Sequence, residues 1–253
     1  MKPLAGKRIV VTRPAGQAAP FIGKIEKAGG TAYAVPLIAF QPFEDEQDEV
    51  ILQNLHTYDW ILFTSKNGVD FFMEKAGRHL KKIQAKWAAI GKQTARAMEA
   101  YGLPVSYMPA SFSAEDLTEE IKKGLFLPEK VLIPKGSLAR SLISGTLRRK
   151  GIQADDWIVY ETYFPEEEQA NLLKLIRTEK MDMFTFTSPS AVRHFVKILQ
   201  EAGEPFPDAD YGVIGRVTKK EAMSFEIPIS VCPAEFTVDA LVNEIKKFYK
   251  ERS

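Results

Sequence analysis

Short apolar runs rich in β-branched and aromatic residues punctuate the chain, and each is followed by helix-compatible sequence. Arg8-Ile-Val-Val-Thr12, Trp60-Ile-Leu-Phe63, Trp87-Ala-Ala-Ile90 and Val105-Ser-Tyr-Met108 form one set. Lys130-Val-Leu-Ile133, Met183-Phe-Thr-Phe186, Tyr211-Gly-Val-Ile214 and Ile229-Ser-Val-Cys232 form the other. Near-continuous apolar strands alternating with helices predict an α/β fold with parallel sheets covered on both faces. Helix starts are legible as well. Ser113 and Thr237 occupy N-cap positions, each followed by an i, i+4 apolar pair, Leu117/Ile121 and Leu241/Ile245. Asp116, three residues after Ser113, completes a weak capping box.

The pattern is written twice. The stretch Asp59–Phe72 returns as Asp182–Phe195, 123 residues further on (59 to 182), with Phe63, Thr64, Ser65, Val69 and Phe72 answered by Phe186, Thr187, Ser188, Val192 and Phe195. Ala89-Ile-Gly-Lys-Gln-Thr94 returns as Val213-Ile-Gly-Arg-Val-Thr218, now 124 residues on (94 to 218). That offset also carries Pro104, Pro109, Phe112, Leu117 and Ile121 onto Pro228, Pro233, Phe236, Leu241 and Ile245. Two similar lobes are expected to face each other, with a site between them lined by paired loops. The first strands correspond too, Lys7–Pro14 with Lys130–Gly136, and each leads through a helix and a glycine turn to a β-rich stretch, Val35–Phe40 or Ile158–Phe164. Those stretches read either as second strands within their own halves or as paired connectors crossing between lobes.

A length of 253 residues fits one large domain or two of ordinary size, and the repeat selects two. An apolar fraction of 45% with 26% charged residues is ordinary for a globular protein. Net charge +1 supplies no global field for nucleic acid or a membrane surface. Cys232 is the only cysteine, which rules out an intrachain disulfide and a thiolate cluster. The N-terminal residues reach a strand at once, so no secretion signal is expected, and no apolar run has the ~20 residues of a membrane span. The chain reads as cytoplasmic.

Candidate chemistry lies in the turns. No G-x-G-x-x-G and no G-x-x-x-x-G-K-[ST] occurs, and His56, His79 and His194 are too scattered for a metal pair. The repeated turns instead place small and hydroxyl residues where strands end and helices begin. Ser65 precedes Lys66, Asn67 and Gly68; Ser188 precedes Pro189, Ser190 and Ala191; Gly91 precedes Thr94, and Gly215 precedes Thr218. Thr12-Arg13-Pro14 and Lys135-Gly136-Ser137 form a third pair, with Arg140 close by. For any one Ser or Thr, N-capping is a sufficient role. Together, six helix N-termini at the carboxyl edges of two sheets would present free N–H groups to an anion. The ligand so implied carries several negative charges spread around it. Tyr160 lies in the second connector stretch, where a strand tyrosine packs or directs its hydroxyl into a site.

In order and spacing these motifs resemble uroporphyrinogen-III synthases. The carriers are Val11–Pro14, Phe63–Val69, Ala89–Ala95, Val159–Thr162, Phe186–Val192 and Ile214–Thr218, with the Pro-x-x-Phe stretches at 109 and 233. The resemblance implies two flavodoxin-like α/β lobes joined by a two-stranded β-ladder, with residues 1–36 and 165–253 in one lobe, 40–160 in the other, and connectors at 35–42 and 158–165. It implies cyclisation of the linear tetrapyrrole hydroxymethylbilane, which has eight carboxylates, with loss of water and inversion of ring D, using no metal or organic cofactor. Tyr160 matches the tyrosine proposed to assist hydroxide departure, and Thr94 and Thr218 match threonines proposed at the cleft. Arg13, Ser65, Lys66, Asn67, Gly68, Gly91, Lys135, Gly136, Arg140, Ser188, Ser190, Ala191 and Gly215 are the expected substrate contacts. Two positions depart from the family pattern: Lys135 stands where Arg precedes the glycine, and Lys219 where Ala follows the threonine. A monomer is expected, with a transient contact to the preceding pathway enzyme and no nucleic acid or membrane partner. The rival classes are a non-catalytic binder of a polyanion and a nucleotide-sugar glycosyltransferase. Against the glycosyltransferase stands the absence from this sequence of a glycine-rich loop and of a plausible base pair of His or carboxylate.

Overall fold

A computed structural model of the chain describes residues 2–111 and 113–252. Phe112, the proposed counterpart of Phe236, lies outside the described residues. The chain divides into two compact units, residues 1–39 with 163–253 and residues 40–162. The first unit opens with β1 (Arg8–Val11), α1 (Ala15–Lys27) and β2 (Thr31–Ala34). The middle of the chain supplies β3 (Ala39–Pro42), α2 (Asp48–Gln53), β4 (Trp60–Phe63), α3 (Lys66–Ala76), β5 (Lys86–Ala89) and α4 (Lys92–Ala100). It continues through β6 (Val105–Tyr107), α5 (Ala114–Lys122), β7 (Lys130–Gly136), α6 (Leu142–Arg149) and β8 (Gln153–Tyr163). The first unit is completed by α7 (Glu166–Thr178), β9 (Met183–Phe186), α8 (Pro189–Ala202), β10 (Asp210–Val213), α9 (Arg216–Ser224) and α10 (Val238–Glu251).

Each unit is built on one sheet, ordered β10-β9-β1-β2 in the first and β3-β8-β7-β4-β5-β6 in the second. The registered pairs β1–β2, β1–β9, β9–β10, β4–β5, β4–β7, β5–β6 and β7–β8 are all parallel. One order runs through both sheets. The strand ending in Phe-Thr-Ser (β4 or β9) lies between the opening strand of the other sequence half (β7 or β1) and the strand leading into Ile-Gly (β5 or β10). A further strand (β8 or β2) flanks the opening strand. In the second unit the opening strand comes late in the chain, yet its neighbours are the same.

Burial on both sheet faces explains the apolar strand sequences. In the first unit Phe184, Phe186, Phe195 and Tyr211 fill one side, and Ile9, Val11, Phe21, Leu241 and Ile245 the other. In the second, Phe63, Phe72, Trp87 and Trp157 lie on one side and Leu62, Val131, Leu117 and Ile121 on the other. Each such side chain contributes roughly 1.5–3 kcal/mol of transfer free energy. The helix starts follow the sequence: Ser113 Oγ accepts from Asp116 N–H at 3.0 Å, and Thr237 Oγ1 from Ala240 N–H at 3.1 Å.

Three elements differ from the sequence reading. Residues 35–38 are not strand: Pro36 has no N–H to donate, and β2 ends just before it. The β-rich character divides instead into β2, paired with β1, and β3, which neighbours β8. β8 is one strand of 11 residues, paired with β7 from Gln153 to Tyr160. Residues 229–232 make only an isolated parallel bridge, Gly212 to Val231.

Candidate functional site

In the second unit, α3 and α4 begin where β4 and β5 end. Ser65 caps α3 through Oγ, which accepts from Gly68 N–H at 3.0 Å. Gly68 is small because the turn lies close to β7: a Cβ there would stand 3.1 Å from the Pro134 carbonyl oxygen and 3.3 Å from Ser65 Oγ. Lys66 pairs with Asp70 one turn along the helix, while Asn67 is half-buried. Gly91 precedes α4 with φ +89°, in the left-handed region where a side chain is strained. Thr94 is the third residue of that helix and is buried.

Tyr160 sits on β8 against this turn. Its hydroxyl is 3.4 Å from Ser65 Oγ, a long and weak contact. The ring stacks on Phe71 at 5.2 Å between centroids and meets Phe40 edge-on at 5.6 Å. Across the β7–β8 ladder its partner is Gly136, where the register shifts, and Ser137 N–H donates to the Tyr160 carbonyl at 3.0 Å. Burial raises the pKa of the phenol, opposed by the Ser65 contact. The group therefore keeps its proton through neutral pH.

Lys135 is placed otherwise than a substrate-facing cation. It is only 5% exposed. Its Nζ donates to Ser141 Oγ at 2.9 Å and lies 3.3 Å from Asp156 Oδ2. Asp156 Oδ2 also accepts from Ser144 Oγ at 2.8 Å. The lysine thus ties the exposed loop 137–141 to β8, and a hollow of about 270 Å³ beside it is lined by Ser137, Ala139, Asp156 and Ile158. Arg140 is exposed and paired with Glu115 at 2.6 Å, which holds that carboxylate below its ordinary range.

The first unit repeats the turns. Ser188 caps α8 through Ala191 N–H at 3.1 Å, matching Ser65, and Ser190 Oγ accepts from Arg193 at 3.2 Å. Gly215 precedes α9, and Thr218, again the third residue, is buried. A Cβ on Gly215 would come 2.7 Å from the ring of Phe236, which is 57% exposed. Thr12 Oγ1 donates to the Thr185 carbonyl at 2.8 Å, fastening the end of β1 to β9. Arg13 follows. One terminal N–H of its guanidinium reaches Gln17 Oε1 at 3.0 Å, but the enclosed Nε meets no acceptor among the described residues. Desolvation lowers the pKa of this guanidinium, an environment that an incoming anion would relieve.

Within the second unit, Ser65, Gly68, Gly136 and Tyr160 are brought together, while Lys135 is turned inward and Arg140 outward. The sequence reading did not include Phe40 and Phe71, which hold the tyrosine ring, or Asp156 and Ser141, which hold Lys135. The Phe71-Phe72 doublet in the middle of α3 was the available signal for Phe71. A hollow of about 450 Å³ in the first unit, lined by Ile176, Arg177, Lys180 and Phe184, lies by the amino ends of β9 and β10, away from the repeated turns. Among the described residues no three His, Cys, Asp or Glu side chains gather as a metal site, and no helix is long and apolar enough to cross a membrane.

Known proteins share this organisation. A family model described as uroporphyrinogen-III synthase HemD matches residues 19–243. The uroporphyrinogen-III synthase of Chlorobaculum parvum is 28% identical, with 96% of this chain and 100% of that protein covered. The porphyrin biosynthesis protein HemD of Ruminiclostridium josui is also 28% identical over 96% of this chain, which spans about half, 49%, of that longer relative. In fold, the chain is similar to a mutant uroporphyrinogen III synthase from Thermus thermophilus, with TM-score 0.66, 17% identity and coverage of 97% and 100%. The Helicobacter pylori uroporphyrinogen-III synthetase gives 0.63 at 19% identity, with coverage of 94% and 96%.

Proposed function

Since the chain belongs to the uroporphyrinogen-III synthase family, we propose that it cyclises hydroxymethylbilane to uroporphyrinogen III, acting as a monomer in the cytoplasm and receiving its substrate from the preceding pathway enzyme. The single observation that carries the site assignment is the matched pair of capped turns, Ser65–Gly68 and Ser188–Ala191, accompanied by Thr94 and Thr218 at the same helical position. Substrate carboxylates meet the helix N-termini at these turns, where the backbone N–H ends of the helix dipole favour anions. Arg13 supplies a further donor through its unpartnered Nε.

Tyr160 is the proton donor. The hydroxymethyl C–O bond breaks and its electron pair leaves with oxygen, which takes the phenol proton to become water. The adjacent pyrrole nitrogen lone pair stabilises the resulting azafulvene cation. Ring D then attacks through its substituted carbon and passes through a spiro intermediate. The original bond from that carbon to the methylene bridge of ring C then breaks, leaving an azafulvene on ring C. Its closure onto the unsubstituted carbon of ring D releases a proton that restores the phenol, so the sum is loss of one water. Hydroxide is a poor leaving group, and a positioned acid contributes ~10²–10⁴-fold. Holding ring D for attack through the substituted carbon is positional work, worth several kcal/mol. Thr94 and Thr218 act as weaker donors or orient water, so some turnover survives loss of the phenol.

The test is the rate at which the chain consumes hydroxymethylbilane above its spontaneous closure, alongside Tyr160→Phe and Tyr160→Ala. A large loss in Tyr160→Phe with unchanged melting supports the donor role. Parental rate in Tyr160→Phe, with Tyr160→Ala inactive and melting earlier, makes the residue structural.

A further inference from the structure

We propose that Gly136 is a positioning residue for the reaction: its missing side chain lets the Tyr160 ring lie against the end of β7 and so sets the phenol oxygen beside Ser65. The inference rests on the reading of Tyr160 as proton donor and adds what places that donor. A Cβ built on Gly136 would stand 2.6 Å from Cε2, 2.6 Å from Cζ and 2.9 Å from the hydroxyl oxygen of Tyr160. No other neighbour of this position lies closer, and all three atoms belong to the far end of the tyrosine. The φ of Gly136 is not in the left-handed region, so backbone strain does not require glycine here. What requires it is the ring.

The rest of the ring's surroundings set its resting position. Phe71 covers one face, with 21° between the planes, and Phe40 meets it edge-on at 88°. The bulge between Lys135 and Gly136 brings Gly136 opposite Tyr160. The backbone there is fixed by Ser137 N–H on the Tyr160 carbonyl and by Ala139 N–H on the Gly136 carbonyl, both at 3.0 Å. An added methyl group is therefore accommodated by turning the phenol end, while the ladder stays in place. Its effect should appear in the chemical step and far less in stability.

The test is a double-mutant cycle in the full chain, comparing Gly136→Ala, Tyr160→Phe and the double variant, with kcat, KM and melting temperature measured for each. Gly136→Ala alone is expected to lower kcat by on the order of 10–10²-fold with KM nearly unchanged, the scale of a displaced catalytic group. Added to Tyr160→Phe, it should cost less than about twofold, because the hydroxyl it displaces is already gone. An equal loss in both backgrounds, or a rise in KM alone, would mean that Gly136 acts on the backbone or the substrate directly, and the proposal fails while the donor reading stands. Parental kcat in Gly136→Ala overturns the proposal as well. Parental kcat in Tyr160→Phe overturns the donor reading and this inference with it. Should Gly136→Ala not fold, Phe71→Leu replaces it in the same cycle, with the same coupling expected and additivity as the contrary result.

Discussion

At the scale of single residues, the hydroxyls divide into two kinds. Ser65 and Ser188 cap helices, whereas Thr94 and Thr218 sit buried inside the first turn of helices that begin at glycine. Ser65→Ala should therefore cost about 1 kcal/mol of stability, as lost N-caps do, read by urea unfolding. Substrate affinity should fall only modestly, because the backbone N–H groups of the turn survive. The phenol of Tyr160 gives a pH prediction. With its pKa raised above the ordinary value of 10.0 by burial, the donor form persists throughout the neutral range. The alkaline fall of kcat assigned to this group belongs above pH 10, and Tyr160→Phe should remove that limb. An alkaline limb near neutrality that vanishes in Tyr160→Phe would contradict the assignment. The positions of the serines and threonines were legible from the repeat, and that of Tyr160 from the family resemblance. The direction of Lys135 was not: a lysine at a strand end reads as a surface cation, and only the fold brings Asp156 and Ser141 to meet it.

Among the elements, two partly buried ion pairs hold the edges of the second unit. Lys75 on α3 lies 2.5 Å from Asp48 at the start of α2, and the Trp157 indole N–H donates to the same carboxylate at 2.7 Å. Burial raises the pKa of Asp48, but Lys75, Trp157 and a backbone N–H together bring it below the ordinary 3.8. The sign follows from linkage. A carboxylate depressed in the folded state contributes stability that is complete above its unfolded pKa and is lost as pH falls through the folded one. Urea midpoints should thus fall below about pH 4, more steeply than in Lys75→Met. A matching pH dependence in Lys75→Met would contradict the pairing. Lys135→Met strands Asp156 with Ser144 as its remaining side-chain partner, and the cost should approach ~3 kcal/mol, towards the range for broken buried pairs. Adding Asp156→Leu should restore part of it. Element types and most strand positions followed from apolar runs. The division of residues 31–42 into β2 and β3 did not, because Pro36 lies within one continuous apolar stretch.

Across the whole molecule, the repeat and the sheets agree in a way that chain order obscures. Both sheets place the Phe-Thr-Ser strand beside the opening strand of the other sequence half, β9 beside β1 and β4 beside β7, so that opening strand precedes β9 in sequence and follows β4. Sequence offsets of 123 and 124 residues hold within this shared order, with one residue gained between the two blocks. The repeat was therefore legible as two related units, and the family followed from the order of its turns. What holds the tyrosine, by contrast, is a contact between residues 24 positions apart on neighbouring strands, Gly136 and Tyr160, and no local pattern announces it. Left alone, hydroxymethylbilane can close without inverting ring D, so the isomer formed reports directly on whether the protein governs the closure. The deciding measurement is the ratio of type I to type III uroporphyrinogen formed from enzymatically generated hydroxymethylbilane, at rising concentrations of the chain. The type III isomer should replace type I as protein increases. A product that remains type I at every concentration, even with substrate bound, would leave a polyanion binder and contradict the synthase.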